Sequence, residues 1–363
     1  MMTKPVFYVY PLTKTVSFRV IAEKHVRLLK QYFRVEPIDE NAFPTAVPVA
    51  SLVYESPILV QPYFYNLQRY EKHLTTSVEN IRGIIGVDVA DSDHITEYGV
   101  KLAEYATALI VPSNFSRNSF LNSGVKKPVH VVPHGIDDSY FDTPKQKPNT
   151  FKPLAELKQK NNLTLIQCWI LHSPYRKGLD LLAKYHEELL KETENILLII
   201  RTSKGVMWFT KPIKNPEEPL ERQMDGCIPV GWLTETQKLE LNDLCDIYFL
   251  SSRGGAFEHP ALEAMARGEI TLGAQGGAWQ DFLPEWALIP SQKSDQILLG
   301  NPIHDGCGVE LLIDKAVDKT LQIINNLDEY RAKTAEHVNT VVKEQFTWSK
   351  IGKRLRDVVK NYL

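Results

Sequence analysis

The chain has no G-x-x-x-x-G-K-[ST] run, which excludes a P-loop nucleotide hydrolase. No G-x-G-x-x-G follows its first apolar stretch, which weighs against a dinucleotide-dependent oxidoreductase. A G-x-S-x-G elbow and an H-E-x-x-H helix are also missing, so neither a serine hydrolase nor a zincin is indicated. Only 4 cysteines occur in 363 residues, none in Cys-x-x-Cys spacing. Cys168 and Cys245 sit inside apolar runs and read as buried thiols of a reducing compartment. No apolar run is long enough to span a bilayer. Lys and Arg number 42 against 44 Asp and Glu, a net charge of −2, so nothing marks a nucleic-acid binder. The N-terminus enters a strand-like run at Val6 with no leader pattern, and a cytoplasmic protein is expected.

Short apolar, β-branched runs alternate with amphipathic stretches almost throughout, the pattern of βαβ units and parallel sheets. Strands are expected at 6–10, 33–37, 51–55, 58–62, 83–89, 108–112 and 129–133, with helices near 16–32, 95–106 and 114–123. A polar stretch with three prolines, 142–162, reads as an interdomain linker with a short helix at its end. Strands follow at 163–170, 196–202, 227–231, 246–251, 270–274 and 287–290, and helices at 178–192, 234–243, 258–267 and 309–345. The expected domains are 1–150 and 151–345, followed by a last helix over 346–363. In that helix Ile351, Leu355, Val358, Val359 and Tyr362 form an apolar stripe among basic residues. The stripe fits docking on the body, or a peripheral contact with an anionic membrane.

The most informative segment is Gly254-Gly255-Ala256-Phe257-Glu258-His259-Pro260-Ala261-Leu262-Glu263. It follows the apolar run Ile247-Tyr248-Phe249-Leu250. A buried strand, a glycine turn and a helix in that order make an anion site, because the backbone can approach closely and the helix start offers free N–H groups. Glu258 and Glu263 are placed to accept hydroxyl hydrogen bonds, which suggests a ligand with both a diphosphate and a sugar.

Three further constellations agree. Ser173-Pro174-Tyr175-Arg176-Lys177-Gly178 follows a strand and opens a helix, so Arg176 and Lys177 can neutralise a leaving diphosphate. Val132-Pro133-His134-Gly135 ends the last strand of the first domain; His134 either lines the site or merely caps a turn. Asp88, Asp91, Asp93 and His94 follow a strand. They could bind hydroxyls of acceptor or donor sugar, cap the next helix through Asp93, or hold a metal.

Taken in order, Val111-Pro112-Ser113-Asn114-Phe115-Ser116, Ser123-Gly124-Val125, Val132-Pro133-His134-Gly135-Ile136-Asp137, Arg176-Lys177-Gly178-Leu179-Asp180, Val230-Gly231-Trp232-Leu233 and Leu262-Glu263-Ala264-Met265-Ala266 resemble the retaining glycosyltransferases of sequence family four. The resemblance covers most of the chain beyond about residue 80, and Glu344-Gln345-Phe346-Thr347-Trp348 is similar to that family's exit into a helix crossing back to the N-terminal domain. It implies an α/β fold of the GT-B architecture, two facing Rossmann-like domains with a deep cleft between them. The implied reaction is retaining transfer of a hexose from a UDP- or GDP-sugar to an acceptor hydroxyl on a glycan, lipid, protein or small molecule. Neither a metal nor another cofactor is implied beyond the nucleotide sugar itself.

By this resemblance Arg176 and Lys177 act on the donor diphosphate, with Glu258, Asp93 and His94 completing the catalytic set. The donor site would comprise His172, Ser173, Gly254, Gly255, Ala256, Phe257, Leu262 and Glu263, with Glu263 on the ribose hydroxyls. Lys14, Thr15, Asp91 and His134 would face the acceptor. The chain departs from the pattern in three places. The family's first glutamate falls at Gly255, with Glu258 nearby and off register; the usual Gly-Arg is replaced by Leu171-His172; and Pro11 to Ser17 stands where a glycine-rich loop is usual. Gly255 motivates the alternative of a non-catalytic, nucleotide-sugar- or glycan-binding partner subunit.

Overall fold

The computed structural model describes residues 5–14, 16–50, 55–74, 83–171, 173–202 and 227–363. They form two compact units, one of Met1–Gly135, Leu298–Gly306 and Gln345–Leu363, the other of Ile136–Ile297 and Cys307–Glu344.

The first unit is built on β1 (Val6–Tyr10), β2 (Val35–Asp39), β3 (Ile58–Val60), β4 (Ile84–Val87), β5 (Ala108–Val111) and β6 (Val129–Val131), in spatial order β2-β1-β3-β4-β5-β6. Every pairing is parallel. Strands such as β4 and β5 are buried along their length, as expected of a sheet covered on both faces. One face packs on the helices Tyr63–Leu74 and Glu97–Ala103, the other on Ser17–Leu29 and Trp348–Lys360. The apolar stripe of the C-terminal helix is used in that docking: Ile351, Leu355 and Val359 are fully buried, and Gly352 lets the helix approach Leu28.

The second unit carries β7 (Thr164–Trp169), β8 (Ile196–Arg201), β9 (Cys227–Val230), β10 (Ile247–Leu250), β11 (Ile270–Ala274) and β12 (Leu288–Ile289) in the order β12-β11-β10-β7-β8-β9, again all parallel. An antiparallel hairpin, β13 (Ser291–Gln296) with β14 (Cys307–Leu311), follows. In each sheet the strand order reverses once, between β1 and β3 and between β7 and β10. Loops at the carboxyl ends of strands flanking such a reversal are where open α/β sheets bind ligands.

Several expectations are corrected. Residues 51–54 of the strand expected at 51–55 lie outside the described residues, and Glu55 is not in a strand. The helix Tyr63–Leu74 and the hairpin were not anticipated. The helical stretch expected from residue 309 begins only at Ile313, after β14. The stretch 142–162 is anchored within the second unit, the Gln146 and Thr150 amides bonding to Asp243 (2.7 Å) and Glu240 (2.9 Å), and it carries the helix expected at its end, Lys152–Asn161.

Candidate donor-binding site

The two loops that flank the reversal of the second sheet are the two segments singled out in the sequence. The loop after β7 carries Ser173 to Gly178, and the loop after β10 carries Ser251 to Glu258. Hydrogen bonds to backbone carbonyls staple them together. The Arg253 amide donates to the Arg176 carbonyl (2.7 Å), Arg176 Nη1 donates to the Gly254 carbonyl (3.0 Å), and Ser251 Oγ donates to the Lys177 carbonyl (2.9 Å). Gly178 has φ +69°, and a Cβ there would strike the Ser251 carbonyl, so glycine is required on two counts.

Arg253 locks this arrangement. It is 3% exposed and grips Asp180 with both guanidinium nitrogens at 2.6 Å. Its Nε donates to Glu310 on β14 (2.8 Å), Nη1 donates to the Tyr175 carbonyl (2.8 Å), and the group lies 4.1 Å from the Tyr175 ring centroid. Burial would raise the Asp180 carboxyl, but the Arg253 guanidinium outweighs it and holds the group below its usual range. The segment that precedes Arg176 and Lys177 is thus fixed from beneath. Sequence reasoning missed Arg253, although it stands directly before the glycine segment, because its partners are remote in sequence.

Glu258 caps the helix His259–Ala266 from the left-handed region, φ +65° and ψ +60°, a conformation that costs a non-glycine residue about 1 kcal/mol or more. Its carboxylate accepts from Lys177 Nζ and from Ser252 Oγ (3.2 Å). Glu263, one turn further on, accepts from Lys238 Nζ (3.1 Å) and pairs with His259 Nδ1 (3.5 Å). Burial alone would raise the Glu263 carboxyl, yet His259, Lys238 and Arg201 together hold it below its ordinary value. Two carboxylates, two loop cations and a helix start therefore share one corner of the second unit. Gly254 and Gly255 line the turn, whereas Leu262 is fully buried and Phe257 packs on Phe282 (5.5 Å), so both lie in the core. Ser173 is exposed in the left-handed region. His172 lies outside the described residues.

The remaining candidates belong to the first unit. Lys14, in the loop after β1, pairs with buried Glu40; Thr15 lies outside the described residues. His94 Nδ1 meets Asp305 Oδ1 at 2.9 Å, a partner 211 residues away. Gly306 permits this approach, because a Cβ there would sit 2.5 Å from the His94 amide nitrogen and would also strike Asp93. Asp93 does not cap the following helix; Thr96 does, accepting from the Gly99 amide (3.0 Å). Asp88 is turned inward, accepting from the Phe64 and Val89 amides, and burial pushes its carboxyl up to about 7. Asp91 is half-buried in the same loop, and His134 is half-buried beside Gly135, which packs on Trp348. Among the described residues no three His, Cys, Asp or Glu side chains converge as a metal site. Among them, too, no helix is long and apolar enough to cross a membrane.

Two doubly wound sheets with a phosphate-type corner at the reversal of the second make up a fold of the GT-B type. Solved structures bear this out at the level of fold. Anabaena HepE in complex with UDP and glucose superimposes with a TM-score of 0.68 at 14% identity, covering 99% of this chain and 100% of that one. A glycosyltransferase from Rickettsia africae gives 0.68 at 13% identity, covering 99% and 98%. No protein-family model matches the chain. Uncharacterized protein 356 of Sulfolobus islandicus rod-shaped virus 1 is 32% identical over 372 residues, 99% of each chain, and the present chain belongs to its family. A protein of the Sulfolobus islandicus filamentous virus, provisionally named glycosyltransferase 45, is 25% identical over 308 residues, 81% of this chain and 78% of that one.

Proposed function

We propose that the chain is a retaining hexosyltransferase that uses a UDP- or GDP-hexose as donor and an acceptor hydroxyl as nucleophile. The observation that carries this is the corner at the β7/β10 reversal, where Arg176, Lys177 and Glu258 are fixed by one hydrogen-bonded frame and Glu263, on the helix that Glu258 caps, is held by Lys238. HepE, of the same fold, was solved with UDP and glucose.

In this reading the acceptor oxygen bonds to the anomeric carbon as the bond from that carbon to the diphosphate oxygen breaks. The electron pair leaves with the diphosphate, and the acceptor proton passes to a diphosphate oxygen on the same face. Negative charge grows on the leaving group, and cations already fixed in place stabilise it without reorganisation. Arg176 and Lys177 fill that role. Glu263 accepts the ribose hydroxyls, and Glu258 a hydroxyl of the sugar. Asp91, Asp93, His94, Lys14 and His134 serve the acceptor side.

Thermal melting with UDP, GDP and ADP tests the donor site. A ligand at 100 times its Kd adds about 2.7 kcal/mol. We expect one nucleoside diphosphate to raise Tm, and Glu263→Ala to abolish the rise. No rise with any of them would sink the reading. Product stereochemistry by NMR tests retention: an inverted anomer refutes that part. Binding without transfer to any acceptor class would favour the partner-subunit reading that Gly255 motivates.

A further inference from the structure

Strand β8 ends in a charge. Its sequence is Ile196-Leu197-Leu198-Ile199-Ile200-Arg201, buried throughout, and Arg201 itself is only 5% exposed. It stands in register with Trp169 of β7 and Val230 of β9, and its guanidinium lies 5.3 Å from the Trp169 ring centroid. Trp169 shares its sheet face with Gln167, whose amide reaches Asn242 (3.0 Å) on the helix Glu235–Leu244. That helix also supplies Lys238 to Glu263. Arg201 therefore stands at the carboxyl edge of the sheet, on the side of the donor corner. It is also one of the cations that hold Glu263 ionised.

Arg201 Nη1 is buried and has no hydrogen-bond partner among the described residues. A guanidinium is always charged and presents its donors in a fixed fork. Leaving one of them buried and unmatched is costly, and folded proteins rarely do so. Two residues past its strand neighbour Val230 stands Trp232, 74% exposed. An unmatched donor at the end of β8, with an exposed indole just past the end of the neighbouring β9, suits a flat heteroaromatic ring bearing an acceptor oxygen: the ring stacks and the oxygen takes the N–H.

We propose that Arg201 is a specificity-determining residue of the donor site, donating through its guanidinium to a ring carbonyl oxygen of the donor's base while Trp232 offers a stacking face. This rests on the donor-site reading above. Uracil and guanine carry ring carbonyl oxygens and adenine carries none, so the arrangement selects against adenine nucleotides.

Calorimetric titration of the full chain with UDP, GDP, ADP and inorganic pyrophosphate tests this. The wild type should bind the better of UDP and GDP about tenfold or more tighter than ADP, since a site built to donate rejects an analogue lacking the acceptor. Arg201→Ala should erase that preference and leave pyrophosphate affinity unchanged; Arg201→Lys, which keeps the charge, serves if alanine unfolds the chain. Trp232→Ala should weaken all three nucleotides alike. An unchanged preference in the Arg201 variants overturns the proposal, as does a parallel loss of pyrophosphate, which would mark a purely structural role. A wild type that binds pyrophosphate but no nucleoside diphosphate overturns the donor-site reading as well.

Discussion

The carboxylate of Glu258 occupies the space that a side chain on Gly255 would need. A Cβ at residue 255 would collide with Glu258 Oε1 and stand 3.1 Å from its Cδ. The two positions are one unit: glycine at 255 allows the acid to reach back from 258 to Lys177 and Ser252.

Gly255→Ala should therefore push the Glu258 carboxylate off Lys177. Transfer is expected to fall about tenfold or more, on the scale of a lost charge-assisted hydrogen bond. Moving the acid, as Gly255→Glu with Glu258→Gly, should recover more activity than Gly255→Glu alone, and it relieves the left-handed strain at 258. Initial rates of nucleoside diphosphate release measure both. Equal rates for the single and double variants would show that the positions are not coupled.

Arg253→Lys keeps the charge but loses the fork that grips Asp180 and the plane that faces Tyr175. Breaking a pair with one member this deeply buried should cost about 2–4 kcal/mol; the partial exposure of Asp180 places the loss toward the lower end. Urea unfolding reads the stability. Turnover should fall further than that loss explains, because the Arg176–Lys177 loop rests on this residue.

Glu269 gives a pH dependence of definite sign. Burial raises its carboxyl to about 8, with Gln167 and Arg201 only partly offsetting. The folded chain thus holds a proton that the unfolded chain releases near pH 4–5. The stabilisation is complete below that range and is lost as pH rises through about 8. Buried Asp88, raised to about 7, acts in the same direction. Melting temperature should decline from pH 6 to pH 8 in the wild type and decline less in Glu269→Gln. Superimposable curves would show that Glu269 does not hold the proton.

The parts of the fold that could be read from sequence are those whose cause is local. β7, β8, β10 and β11 are largely apolar runs, and each is a strand. The hairpin β13–β14 escaped because polar residues such as Gln292, Lys293 and Asp295 make up much of it, and its partner lies across an excursion to the first unit. The helix Tyr63–Leu74 escaped because the apolar run of β3 continues into its first turn, where Tyr63 and Phe64 are buried. In the donor corner, Arg176, Lys177, Glu258 and Glu263 stand in recognisable local settings. Arg253 owes its role to Asp180 and Glu310, 73 and 57 residues away, and Arg201 shows itself only as an unmatched donor once the chain is folded.

The first unit is assembled from three separated stretches, and this sets a schedule for synthesis. Val26, Leu28 and Leu29 of the helix Ser17–Leu29 share a core cluster with Trp348, Ile351, Leu355 and Val359. A ribosome must add roughly 320 residues after the first helix before its partner exists, on the order of half a minute at about 5–20 residues per second. Throughout that interval the second unit can complete its own sheet while the first keeps an apolar face uncovered. Premature termination ahead of Trp348 would make that exposure permanent, so truncated products should aggregate or be degraded even though the whole donor corner has already been made.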